Sequence, residues 1–126
     1  MSQLDQKLNQ AKQSALPRTV HIFDIPDAIP GDVRQVGIKE LTAQEELIAV
    51  KRAGNDPGRI AYERVKESIV EVNGQPVSLS DGSTDAVWAK LHPMARDLVA
   101  TGWQEVHMVK EDVAQLFLRS RKVRVG

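Results

Sequence analysis

The chain has no cysteine, which excludes disulfides and thiolate metal sites and fits a reducing compartment. It has no excess charge of either sign, since 17 Lys and Arg balance 17 Asp and Glu. That balance removes the electrostatic reason to expect nucleic acid or an anionic membrane as the main partner. No apolar run approaches the length of a membrane span. The stretch from Met1 to Lys12 lacks the apolar centre of a signal peptide. These absences lead to an expected place in the cytoplasm. Aromatic residues are scarce, with two Trp, one Tyr and two Phe in 126 residues. The core must therefore rest on Val, Leu, Ile and Ala. A chain of this length buries roughly two thirds of its unfolded surface, so one domain is expected.

What is present most densely is helix punctuation between Leu41 and Pro57. Thr42 and Glu45 have the spacing of a capping box, in which each side chain satisfies a backbone N–H of the first turn. Gly54 stands where a left-handed residue ends a helix. Asp56-Pro57 then supplies an N-cap and a proline at the first helical position of the next one. The spacing predicts a first helix over Leu41–Ala53, with Ala43, Leu47, Ile48 and Val50 on its apolar side. A second helix is predicted from Pro57 to about Val70, with Ile60, Ala61, Val65 and Ile69 buried.

The rest of the chain is read around that pair. Residues 1–17 are expected to form a flexible N-terminal arm, with Leu4, Leu8, Ala11 and Ala15 at helical spacing. Residues 18–126 form a single helical domain with an extended segment over 18–38. That segment is rich in β-branched residues and broken at Pro26 and Pro30-Gly31, as an irregular hairpin or an arm lying on a helical body. Asn73-Gly74 suits a two-residue reverse turn, and Pro76 restricts the strand after it to an edge. Further helices are predicted from Asp85 to Leu91, from His92-Pro93 to about Val106, and from Lys110 to Arg119. Ala95, Leu98, Val99, Gly102 and Val106 share a face of the second of these. Gly102 there implies a neighbouring helix packed closely, a bend, or an end. Val113, Leu116 and Phe117 form the stripe of the last helix, and Arg119, Arg121, Lys122 and Arg124 give it a basic end. The fold class expected is mainly α, a small multi-helix domain with a minor β-hairpin and an extended N-terminal arm.

Residues that carry chemistry are not arranged for it. His21, His92 and His107 show no i, i+3 or i, i+4 spacing for a shared metal. No serine sits in a Gly-x-Ser-x-Gly elbow, and there is no phosphate-binding Gly-x-x-x-x-Gly-Lys loop. Asp81-Gly82-Ser83 is a fragment of a calcium loop without the remaining ligand positions. No catalytic residue, metal or cofactor is assigned, and an enzyme is the weakest class. Trp88 and Trp103 admit two readings, core filling or an exposed anchor for another protein. The basic tail reads as a cationic helix cap, a nucleic-acid contact, or, through the alternation of Lys122-Val123-Arg124-Val125, a strand added to a partner's sheet edge.

From Gly37 onward the chain resembles the tail assembly chaperones encoded in bacteriophage and prophage morphogenesis clusters. The resemblance rests on Ile38-Lys39-Glu40-Leu41-Thr42, on Ala49-Val50-Lys51-Arg52-Ala53-Gly54 and on Ala61-Tyr62-Glu63-Arg64-Val65-Lys66-Glu67-Ser68-Ile69. Val72-Asn73-Gly74-Gln75-Pro76-Val77 and the closing Phe117-Leu118-Arg119-Ser120-Arg121-Lys122-Val123-Arg124-Val125 complete it. The resemblance implies a helical, non-enzymatic protein of the host cytoplasm that binds the tape-measure protein during tail morphogenesis. It also brings in the tail-tube protein as a further partner. Apart from the resemblance, a homo-oligomer is a further expectation, and charge balance and the lack of a long apolar run argue against nucleic acid and membrane as partners. Leu98, Trp103, Leu116 and Phe117 are the residues expected to bind, with Arg121 and Arg124 steering. The alternative is a structural virion protein of the tail or neck whose extended arm makes subunit contacts.

Overall fold

The structure, a computed structural model, describes residues 19–125. The expected arm over residues 1–17 lies outside the described residues. The order of elements is β1 (Val20–Asp24), β2 (Gln35–Lys39), α1 (Ala43–Arg52), α2 (Pro57–Ser68), β3 (Ile69–Val72), β4 (Gln75–Pro76), α3 (Ser83–Lys90), α4 (Pro93–His107) and α5 (Glu111–Arg119).

The four strands form one antiparallel sheet in the order β1-β2-β3-β4. This corrects the expected fold class: the chain is α+β, not mainly α with a minor hairpin and an extended arm. The segment expected as an arm or irregular hairpin supplies two paired strands, with His21 opposite Ile38 and Phe23 opposite Val36. β2 then pairs with β3, Val36 opposite Val72, and a register irregularity falls between Gly37 and Ile38. Sequence pattern understated the sheet because β2 does not alternate. Val36, Gly37 and Ile38 are all buried, and a run buried on both faces has no period of two to detect.

Two side chains fasten the long β1–β2 connection. Asn73 Oδ1 accepts from the backbone N–H groups of Arg34 and Gln35 at 2.7 and 3.1 Å. Its Nδ2 donates to the Asp32 carbonyl at 3.0 Å. The Arg34 guanidinium donates to the carbonyls of Ile29 and Gly31 at 2.6 and 3.0 Å. Asn73 and Gly74 both have positive φ, 51° and 77°, as a tight reverse turn requires. Pro76 lies in β4, at the sheet's edge.

The punctuation between the first two helices takes its expected form. Thr42 Oγ1 accepts from the Glu45 N–H and Glu45 answers to the Thr42 N–H, closing the capping box. Asp56 caps α2 by accepting from the Gly58 N–H at 3.0 Å. The buried face of α1 is not the expected one. Ala49 and Ala53 are buried while Leu47 and Ile48 are 53% and 45% exposed. Small residues let α1 lie close on α2, and the bulky ones are turned out.

The core lies between the sheet and α2, α3 and α4, centred on Val36, Ile38, Val65, Ile69, Trp88 and Val99. α4 packs on β2 and on α2. Gly102 explains the close approach: a Cβ there would stand 3.4 Å from Ile38 Cδ1 and from the Phe23 ring. The neighbour that the glycine admits is the sheet, not another helix.

Candidate protein-binding site

Among the described residues no three His, Asp or Glu side chains come together as a metal would need. Asp81, His92 and His107 are each engaged by backbone or neighbouring groups, whereas the buried His21 Nε2 has no hydrogen-bond partner among the described residues. Asp81 accepts from the backbone and hydroxyl of Ser83, and those bonds hold its carboxyl below the ordinary carboxylate value. The fragment that resembled a calcium loop is therefore a turn before α3. His92 Nδ1 accepts from the Met94 N–H at 3.1 Å and caps α4. His107 Nε2 accepts from the Leu41 N–H at 2.9 Å, and its Nδ1 lies 2.8 Å from the Trp103 carbonyl. With Nε2 as acceptor and Nδ1 as donor, this ring ties the end of α4 to the approach of α1.

Four charged side chains of α1 and α2, with Asp85 of α3, form one network. Arg52 reaches Glu63 and, at 3.1 Å, Glu67. Lys66 bridges Glu63 and Asp85, both at 2.9 Å. Burial pushes the Glu63 carboxyl up, but hydrogen bonds and charge from Arg52 and Lys66 outweigh it and hold the group below its ordinary value. This network joins α1, α2 and α3, and its geometry is that of a brace.

The residues expected to bind are divided by the structure into three places. Trp103 is half-buried at the end of α4, stacked on His107 at 4.5 Å between ring centroids. Trp88 takes the core role instead, with the Tyr62 ring edge-on to it at 5.7 Å and the Arg96 guanidinium over its face. Leu98 is on another side of α4, at the mouth of a cleft of about 310 Å³ between α4 and the β1–β2 hairpin. Leu116 and Phe117 are on α5, with Arg121 and Arg124 on the exposed tail after it.

α5 is the element the fold does not use. It buries none of its residues. Val113, Leu116 and Phe117 are 52%, 66% and 75% exposed, and Val109 just before the helix is 64% exposed. Val109, Val113, Ala114 and Phe117 line a shallow groove that is almost wholly apolar. Acidic Glu111 and Asp112 begin the helix and Arg119 ends it, which suits the helix dipole. An isolated helix of nine residues is marginal in water, because packing of an apolar face normally supplies its stability. The apolar stripe of α5 was legible in the sequence; its separation from Leu98 and Trp103 was not.

Among the described residues no helix is long and apolar enough to cross a membrane. Comparison with protein-family models, with curated proteins and with solved structures returned no match to this chain.

Proposed function

We infer that this chain is a non-enzymatic assembly factor of the phage tail chaperone kind, which binds the tape-measure protein through α5. One observation supports the binding mode: a helix with a strong apolar stripe stands on the surface with none of its residues buried. Soluble proteins leave large contiguous apolar patches exposed mainly where a partner covers them. A groove of Val109, Val113 and Phe117 fits the apolar side of a second amphipathic helix, anchored at i, i+3 and i+4 positions. The tape-measure protein enters through the sequence resemblance, since a long coil kept soluble before assembly presents stripes of this kind. Arg121 and Arg124, on the exposed tail after α5, raise the rate of encounter with an acidic helix, an effect that salt weakens. The host cytoplasm is the place of action in this reading.

The alternative of a virion component reaching its neighbour through residues 18–38 has less support. Val20–Asp24 and Gln35–Lys39 are paired strands, and Val36 and Ile38 are core. Co-expression with the tape-measure protein tests the reading. A soluble complex eluting together on a sizing column is expected, and Phe117→Asp abolishes it. A tape-measure protein equally soluble without this chain, with no complex formed, overturns it.

A further inference from the structure

A second surface is independent of α5. Among the described residues β1 has β2 as its only neighbour in the sheet, so one edge of β1 carries open backbone groups, a template for another strand. The opposite edge is blunted, because β4 is two residues long and contains Pro76. β1 has no proline, and Val20 and Ile22 on its outer face are 38% and 49% exposed. Beside it lies the cleft under α4, floored by Phe23, Ile25, Val36 and Val99. Among the described residues the charged ones lining that cleft are Asp24, at its rim, and Glu105, both acidic and both exposed.

The chain's own C-terminal tail has the complementary features. Its charged residues Arg121, Lys122 and Arg124 are all basic, and they alternate with Val123 and Val125. The two valines are 74% and 94% exposed, and the tail takes no regular structure after α5. In this chain the tail and the cleft are not joined, since no tail residue lines the cleft. We propose that the open edge of β1 and the cleft beside it receive the tail Arg121–Val125 of a second copy of this chain, added as a strand. Five residues of strand match the five of β1 at about 3.3 Å each. Side chains alternate in such a strand, so Val123 and Val125 enter the cleft with Arg121 near Glu105. Lys122 and Arg124 then lie on the outer face, where Asp24, at the rim of the cleft, shares the exposed side of β1 with Val20 and Ile22. Each copy carries one tail and one cleft, so the contact is head-to-tail and generates short chains or a ring.

Sedimentation velocity of the full chain alone, across a concentration series, tests this without any tape-measure protein, so its failure leaves the α5 reading standing. The sedimentation coefficient is expected to rise with concentration and to fall with added salt. Val123→Asp with Val125→Asp is expected to raise the dissociation constant roughly tenfold or more, with an unchanged melting temperature at dilutions where the chain is monomeric, because both positions are exposed in the single chain. Asp24→Arg weakens assembly in the same way, and Asp24→Arg combined with Arg124→Asp restores part of it. A chain that stays monomeric at every concentration overturns the proposal. Assembly indifferent to both the tail and the Asp24 substitutions overturns it equally.

Discussion

In α4 the face turned to the sheet is Ala95, Val99 and Gly102, all buried, with the two side chains at 2% exposure. In α5 the stripe is Val113, Leu116 and Phe117, bulkier and more apolar, and more than half exposed throughout. The helix with the smaller residues is inside and the helix with the larger ones is outside. α1 repeats the contrast, burying Ala49 and, at its C-cap, Ala53 while exposing Leu47 and Ile48. In this chain small residues mark where backbones approach, because close packing needs room for the neighbour's side chain. The large residues left over are available to something else.

The sharpest way to break that comparison is to truncate one large residue in each region. Ile38 is fully buried in β2, so Ile38→Ala is expected to cost about 2–5 kcal/mol, from lost transfer energy and the cavity left behind. Phe117→Ala removes a bigger side chain from α5 and is expected to change stability by no more than about 0.5 kcal/mol. Urea denaturation of both variants is the measurement. A comparable loss at Phe117 would mean that α5 is folded onto the body and has no free face.

Binding should invert the order. Leu116→Asp or Phe117→Asp is expected to lose about 2 kcal/mol or more of tape-measure affinity, the scale of an interface anchor. Lys39→Ala, on the folded body, should leave affinity unchanged. Titration calorimetry of the purified chain against a tape-measure fragment separates the two.

These contrasts show where the sequence was legible. Local signals read well, because Thr42, Glu45 and Asp56 act on backbone groups within three residues of themselves. The Asn73-Gly74 turn read well for the same reason, but the reach of Asn73 to Arg34 and Asp32, 39 and 41 residues away, left no local trace. The sheet was underestimated because β2 is buried on both faces and β3 begins at Ile69, directly after α2 ends at Ser68. A helical stripe ending in Val65 and Ile69 runs into a strand without any breaker between them. At the candidate site, the apolar stripe of α5 was legible as periodicity. The division of Leu98, Trp103 and Phe117 among three surfaces depends on which face of α4 meets the sheet, and that is a tertiary choice. Gly102 was the one clue to it.

The ion network sits between the two regions in character, polar but built into the fold. Arg52→Met removes two hydrogen bonds to charged partners and is expected to cost about 1–3 kcal/mol, with Lys66 still holding Glu63. The pH dependence has a definite sign. Glu63 is held below the ordinary value of 4.5 in the folded chain. Its stabilisation is therefore complete above that value and is lost as pH falls through the lower folded-state value. Thermal unfolding of the wild type and Glu63→Gln should differ most near neutrality and converge at acid pH. A gap that persists unchanged at low pH would assign the role of Glu63 to packing.

The smallest effects sharpen the comparison at the helix starts. α1 begins with a complete capping box, whereas Lys110 at the start of α5 makes no side-chain cap. Thr42→Ala is expected to lower global stability by about 1 kcal/mol, and Thr42→Ser to recover most of it. Lys110→Ser supplies the missing cap, also worth about 1 kcal/mol, but to a helix outside the cooperative core. Global unfolding should therefore not move, while amide exchange within Val113–Leu118 should slow roughly fivefold, since about 1.4 kcal/mol corresponds to tenfold. The same substitution should tighten tape-measure binding slightly by ordering the docking helix beforehand. If Lys110→Ser instead raises the midpoint of global unfolding as much as Thr42→Ala lowers it, α5 belongs to the folded body, and its exposed stripe needs another explanation.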